Sequence, residues 1–509
     1  MLLREFRRKA DRLADYLPWS HLLRPDVVAL KDGAWLAGFS VQAPDLDSAE
    51  DVELVAHRAR LASVFAQLGG GWPLWVEARR LETPGYPLSC DPAAPEAVRL
   101  LDEERRREFS GRTNLSTELL VWLSFYGLRD SQLDRSASLV MDEGDGGMAA
   151  ATRAAWSRFL DRLDQIEGLL ADVMIVVRRL EGDGLVSALA SAIAPEPLRV
   201  KAPSTPVYLD GWLATADLLP GTRPMLGDHH FRLVSVRDLP GETSPALLDV
   251  LSRAPFACRW CSRWLALDAG DARRLMRLTR RRWQAKAKPA FSVLSEMIHG
   301  ESSQAPVDPE ALLMIEDSDQ ALASLAQSGV AYGLYSASLI VSDPDPAIAD
   351  ARANELLRLV IASGVPARRK GLGAADAWLG AVPGDVKAHV RRFPLHSASL
   401  VDLLPATGTW TGHPFRSIAM ARTKTGASFK LGLHGAGSDV GHTAVLGPTG
   451  AVQVCLSVLS GLELVTPAGG SGGDCRPAPF LPGCGARRQW RVSQSGWRGL
   501  CLSDAAGRR

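Results

Sequence analysis

Residues 445–454 read Val445-Leu446-Gly447-Pro448-Thr449-Gly450-Ala451-Val452-Gln453-Val454. An apolar strand running into a glycine-bearing turn is how a phosphate loop, G-x-x-x-x-G-K-[ST], begins. In such a loop backbone N–H groups and a helix N-terminus wrap the phosphates. The lysine meets the β- and γ-phosphates and the hydroxyl holds Mg²⁺. Gly447, Pro448, Thr449, Gly450 and Ala451 fit the first five positions. Val452, Gln453 and Val454 stand where the second glycine, the lysine and the Ser/Thr belong. Val452 also brings a β-branched side chain to a point where the backbone must pass close to a phosphate. A plain Gly-Pro turn after a strand is the structural alternative for the pentapeptide. A genetic alternative is a frameshift at or just after Ala451. Read one base later, codons for Gln453-Val454-Cys455 permit AAG-TCT, lysine then serine. The gene sequence past the Ala451 codon decides between them.

A second group of residues is cationic. Arg273, Arg274, Arg277, Arg280, Arg281, Arg282, Lys286 and Lys288 place eight positive charges in sixteen residues. At helical spacing Arg273, Arg277 and Arg280-Arg281 share a face. A solvated helix is the plain explanation. An acidic partner subunit, DNA phosphates or anionic lipid are the functional ones, with Trp283 anchoring the helix in the core. Cys258-Arg259-Trp260-Cys261 is a lone CxxC; a structural zinc needs four ligands and no second pair follows at finger spacing, so buried apolar roles are expected. His434, Asp439 and His442 lie in a Gly-rich stretch ahead of residue 447 and read as turn-shaping hydrogen bonders rather than metal ligands. The 14 tryptophans are scattered, not interleaved with cations, which favours core packing over base stacking.

Secondary structure must position these groups. Leu30 to Val41 is strand-like around a Lys31-Asp32-Gly33 turn. Asp47 to Glu50 starts a helix whose Val52, Val55, Ala59, Ala62 and Phe65 recur at helical steps, and Gly69-Gly70-Gly71 stops it. Strands follow at 72–77, 119–125 and 330–341, and helices at 95–109, 156–170, 273–288 and 346–362. The segment 195–206 is a Pro-containing connector. No solenoid period occurs. The chain of 509 residues is 46% hydrophobic and 23% charged, with 58 Lys+Arg against 57 Asp+Glu. That balance describes a globular α/β protein with no global charge to attract nucleic acid. The N-terminus has no signal-peptide h-region and no apolar stretch is long enough to span a bilayer, which predicts a cytoplasmic protein. Residues 452–509 hold no lysine, seven arginines, ten glycines and four of the seven cysteines, an atypical tail read as frameshifted or disordered.

The text around residue 447 carries a resemblance. Phe429-Lys430-Leu431-Gly432-Leu433-His434 and Asp439-Val440-Gly441-His442-Thr443 resemble the start of the motor in the CagE/TrbE/VirB family of type IV secretion ATPases, in its TrbE-type conjugal transfer branch. Ordered upstream matches include Leu17-Pro18-Trp19, Lys31-Asp32-Gly33, Gly71-Trp72, Val76-Glu77-Ala78, Arg259-Trp260, Ala377-Trp378-Leu379-Gly380, Pro383-Gly384 and Trp410-Thr411-Gly412. The resemblance implies an N-terminal α/β docking domain over 1–405, with a subdomain break near 195–206. It implies a linker over 406–424 and the beginning of a RecA-like P-loop domain over 425–451. It further implies ATP and Mg²⁺ as ligands, pilus assembly and DNA or protein transfer as the process, and a homo-oligomer. Other secretion subunits at the inner membrane are the implied partners, with the chain peripheral to that membrane. A non-catalytic docking module is the alternative, because the family's Gly-Lys-Ser/Thr, acidic Mg²⁺ strand and arginine finger have no counterpart in the sequence.

Overall fold

Lys31-Asp32-Gly33 makes the tight turn its composition demands: Gly33 takes φ +85°, a conformation that glycine adopts without strain. The strands it joins open an antiparallel sheet. In the computed structural model the described residues are 12–432, apart from 47–48, 84–85, 87–95, 111–113, 127–145, 288–307, 327–329, 390, 409–416 and 423–426. The chain order is α1 (Leu13–Tyr16), β1 (Trp19–Arg24), β2 (Val27–Leu30), β3 (Trp35–Gln42), α2 (Asp51–Ala66), β4 (Pro73–Thr83), α3 (Glu96–Ser110), β5 (Asn114–Phe125), α4 (Gly146–Ala171), β6 (Val176–Arg179) and α5 (Gly182–Ala192). It continues with α6 (Leu209–Leu213), β7 (Leu218–Leu219), β8 (Met225–Leu226), β9 (His229–Val236), β10 (Cys258–Ala266), α7 (Ala269–Ala287), α8 (Pro309–Ser324), β11 (Tyr332–Asp343), α9 (Pro346–Ala362), β12 (Ala367–Lys370), α10 (Ala374–Leu379), β13 (Phe393–His396), α11 (Ser397–Asp402), β14 (Ser417–Arg422) and β15 (Ser428–Gly432).

Among the described residues thirteen strands form one sheet, and its pairing reveals a duplication of topology that no sequence period announces. In the first half β3-α2-β4-β5-α4-β6 assembles in the order β6-β3-β5-β4. In the second, β9-β10-β11-α9-β12 assembles in the order β12-β9-β11-β10. Each is the antiparallel 4-1-3-2 order of a split βαβ unit. The halves join edge to edge where β4 pairs antiparallel with β10, from Cys258↔Arg80 to Leu265↔Pro73. The connector 195–206 lies in the stretch between the two halves. The mixture of helices with an antiparallel sheet agrees with the α/β expectation.

Both faces of the sheet are covered, which is why its central strands are buried residue after residue. On one face α2, α4, α9 and α11 pack Phe65, Phe159, Leu163, Leu356 and Leu400 against Phe39, Val76, Val121 and Trp264. On the other α5, α6 and α10 pack Leu185, Leu189, Leu209 and Trp378 against Trp75, Trp122 and Ile340. Glycine admits two of the tryptophans: a Cβ on Gly38 would lie 2.6 Å from the Trp122 ring, and one on Gly333 would lie 2.4 Å from that of Trp264.

Several expectations change. Val52 and Val55 are exposed, because the first turns of α2 project past the core and burial begins at Leu61. Ser417–Arg422, inside the span read as a linker, is a strand paired with Ser428–Gly432. In its sequence Ile418 and Met420 alternate with Ser417, Ala419 and Ala421, a strand pattern that Thr/Gly/Pro-rich surroundings hide.

Candidate functional site

Gly447, Pro448, Thr449, Gly450 and Ala451 lie outside the described residues, as do His434, Asp439 and His442. The apolar strand read into the loop at Val445-Leu446 lies outside them as well, and the nearest described strand upstream is β15. The donor set that the sequence provides from 447 to 454 does not fit a Mg²⁺–triphosphate. It contains no amine for the β- and γ-phosphates and no hydroxyl at the Mg²⁺ position.

The cationic segment is the helix α7, which crosses back on α8 as an antiparallel hairpin. Ala272 and Met276 meet Ala321, Leu325 and Tyr332 at its root. Asp308 caps α8 by accepting from the Glu310 N–H at 3.0 Å, with Pro309 at the first helical position. The arginines divide by face. Arg280 pairs with Asp319 at 2.9 Å, and Arg273 donates to the Leu325 carbonyl at 3.4 Å; both are spent holding the hairpin. Arg274, Arg277 and Arg281 are exposed, with no ion pair among the described residues. The open stripe is therefore Arg274, Arg277 and Arg281, not the Arg273–Arg277–Arg280–Arg281 face expected. Trp283 is half-buried beneath the Lys286 ammonium, 4.5 Å from its ring, rather than in the core. Helix α3 disposes of its charge differently: Arg106 and Arg107 pair with Asp102 and Glu103 one turn back at 2.8 and 2.6 Å, so that helix neutralises itself.

At the junction of the two halves lies a polar centre. Glu77 on β4 is fully buried between Arg79 of its own strand and Arg259 of β10. Arg79 donates two hydrogen bonds to it at 2.6 and 3.0 Å, and Arg259 Nε donates a third. The arginines reach onward to the carbonyls of Ala188, Ala192 and Ala381 at 2.6–2.8 Å, tying α5 and the turn after α10 to the seam. Burial alone would push the Glu77 carboxyl up, but Arg259 and Arg79 outweigh it and hold it down at about 2. Further along β10, Arg263 is buried and donates to the carbonyls of Asp385 at 2.8 Å and His389 at 2.9 Å.

A cleft of about 510 Å³ opens beside the seam, lined in part by Arg80, Glu196, His229, Cys258, Asp343 and Arg352. It does not assemble a nucleophile. Burial raises Cys258 to about 11 and Cys261 to about 12, so both thiols stay protonated. Cys258 packs with the core on one sheet face and Cys261 with that on the other, as the odd spacing along a strand dictates, so the CxxC is apolar packing. Among the described residues no group of three His, Cys, Asp or Glu is placed to hold a metal. The sequence signal that could have found Glu77, Arg79 and Arg259 is charge inside an otherwise apolar strand.

The resemblance-bearing residues from opposite ends of the chain meet. Trp19 Nε1 donates to the Pro383 carbonyl at 2.8 Å. Gly384 takes φ +94°, and a Cβ there would crowd Leu30 and Pro18 at 3.1–3.3 Å. The Tyr126 hydroxyl donates to Asp32 at 3.0 Å.

Fold and site define a two-half sheet platform with a riveted seam and a cationic helical arm. Residues 26–129 match the family described as "Type IV secretion system ATPase VirB4/TrbE, N-terminal domain", and residues 284–391 match "CagE, TrbE, VirB family, component of type IV transporter system". The chain is 30% identical over 475 residues to "Conjugal transfer protein TrbE" of Rhizobium radiobacter, covering 88% of this chain and 57% of that protein. Sinorhizobium fredii (strain NBRC 101917 / NGR234) has a "Probable conjugal transfer protein TrbE" divided between two polypeptides. With the second of them this chain shares 33% identity over 286 residues, covering 54% of this chain and 42% of the relative. With the first it shares 38% identity over 109 residues, 21% of this chain and 73% of the relative. The chain belongs to the CagE, TrbE, VirB family of type IV transporter components. It spans about half the length of the Rhizobium protein and of the second Sinorhizobium polypeptide.

Proposed function

We propose that this chain serves conjugal transfer as the docking portion of a type IV secretion ATPase, seated on other secretion subunits at the inner membrane. The family's motor uses ATP and Mg²⁺ to drive pilus assembly and substrate transfer, and it works as a homo-oligomer. In this chain the described sheet has two halves of matching strand order, while the P-loop sequence lacks the groups that would neutralise a transferring phosphoryl. That mismatch is the observation carrying the reading. Peripheral attachment goes with the docking role. Among the described residues no helix is long and apolar enough to cross a membrane.

Phosphate release from ATP in the presence of Mg²⁺ should stay at the buffer background for the purified chain, while affinity capture from a conjugating host should retain inner-membrane secretion subunits. Turnover that disappears on Thr449→Ala or Gly450→Ala would overturn the inactive-docking reading. Capture that retains none of those subunits would remove docking itself.

A further inference from the structure

The hairpin arm is polarised. Helix α7 carries seven cations and one acid, and α8 carries four acids and no cation. Their inner faces already pair within the chain through Arg280–Asp319 and the small apolar contact of Ala272, Met276, Ala321 and Leu325. Their exposed faces repeat the same chemistry, with no ion pair to Arg274, Arg277, Arg281, Glu316 or Asp317 among the described residues. On α7, Arg274, Leu278 and Arg281 fall at steps of four and three on one exposed stripe, with Leu278 44% exposed. On α8, Leu312, Leu313, Glu316 and Asp317 are exposed, the leucines at 52% and 67%. A cationic stripe with a leucine in it and an acidic stripe with two leucines are complementary in charge and in apolar content. Helices of 19 and 16 residues also match in length, at about 1.5 Å per residue.

We propose that the outer face of α7 in one copy of the chain docks on the outer face of α8 in a second copy. The contact is head-to-tail: each copy offers both faces, so the association extends until the rotation closes it into a ring. A duplex backbone would satisfy the arginines of α7 but offers nothing to Leu278, and it leaves the acidic, leucine-bearing face of α8 unexplained. A second copy accounts for both faces at once. This inference deepens the homo-oligomer in the functional proposal and rests on it.

The test is a charge swap on the full chain. Variant one is Arg274→Glu/Arg277→Glu/Arg281→Glu; variant two is Glu316→Lys/Asp317→Lys. Both leave Arg280 and Asp319 in place, so the hairpin keeps its internal pair, and circular dichroism melts check that each variant folds. Sedimentation velocity should show a salt-sensitive assembly for the wild type, monomers for each variant alone, and restored assembly when the two are mixed. A wild type that is monomeric at all concentrations overturns the oligomer and the interface together. An assembly indifferent to either variant, or no rescue on mixing, overturns the interface alone. A monomeric wild type whose first variant loses binding to duplex DNA or to anionic phosphatidylglycerol vesicles assigns the stripe to those partners and also overturns it.

Discussion

Replacing Glu77 by leucine should destabilise the platform by roughly 3–5 kcal/mol, because it strips the counter-charge from two buried guanidinium groups at once. Arg79 and Arg259 cannot retreat to solvent. Both are anchored to backbone carbonyls, Arg79 on Ala188 and Arg259 on Ala192 of α5, with Arg259 also on Ala381 after α10. The loss is therefore mostly that of uncompensated charge rather than of the pair's own attraction. Removing all three charges together, as Glu77→Leu/Arg79→Leu/Arg259→Met, should cost less than Glu77→Leu alone. The acid limb gives an independent reading. The folded carboxyl titrates at about 2 against 4.5 for an ordinary glutamate. Its contribution is fully present above pH 4.5 and is lost as pH falls from there through 2. Urea midpoints measured across that window should fall more steeply for the wild type than for Glu77→Gln. Equal slopes, or a single variant more stable than the triple, would show that the seam is not held by this carboxylate.

What could be read in advance follows from the kind of signal each element leaves. Helix α9 runs over the predicted residues 346–362, because Asp345 caps it by accepting from the Ala347 N–H and Pro346 fixes its first turn. The β2–β3 hairpin announces itself through Lys31-Asp32-Gly33. In contrast β4 is expected to end near Glu77 but continues to Thr83, since Glu77, Arg79 and Arg80 look like the end of an apolar run. Only tertiary pairing makes those charges acceptable inside a sheet. Strand β9 is equally hidden, its His-His-Phe-Arg start giving no alternation. The duplication of halves lies in strand order alone, which a search for sequence periods cannot detect. At the site, the crowding of arginines on α7 is legible, but which of them remain open depends on where α8 packs. The partial phosphate loop is legible as a motif and stays a sequence observation, since residues 447–451 lie outside the described ones.

The second large effect is steric. Gly333 on β11 sits across from Ala266 of β10, and the indole of Trp264 lies over it. A Cβ added there would stand 2.4 Å from the ring and 2.8 Å from the Leu265 carbonyl. The ring cannot slide aside freely, because Trp264 is buried and its Nε1 donates to the Leu395 carbonyl at 3.2 Å, fixing β13 to the same spot. Gly333→Ala should therefore cost about 3 kcal/mol, the upper end of what overpacking costs in a filled core, with a lost hydrogen bond included. Glycine in a strand interior is ordinarily a weakness that alanine would repair, so the sign separates the two accounts. The partner variant decides the cause. Trp264→Leu leaves a cavity and is destabilising by itself, yet Gly333→Ala placed on that background should cost far less than on the wild type, as contacting sites fail to add. Thermal midpoints of the four proteins complete the cycle. Additive losses, or a stabilised Gly333→Ala, would mean the indole is not what keeps that position free of a side chain.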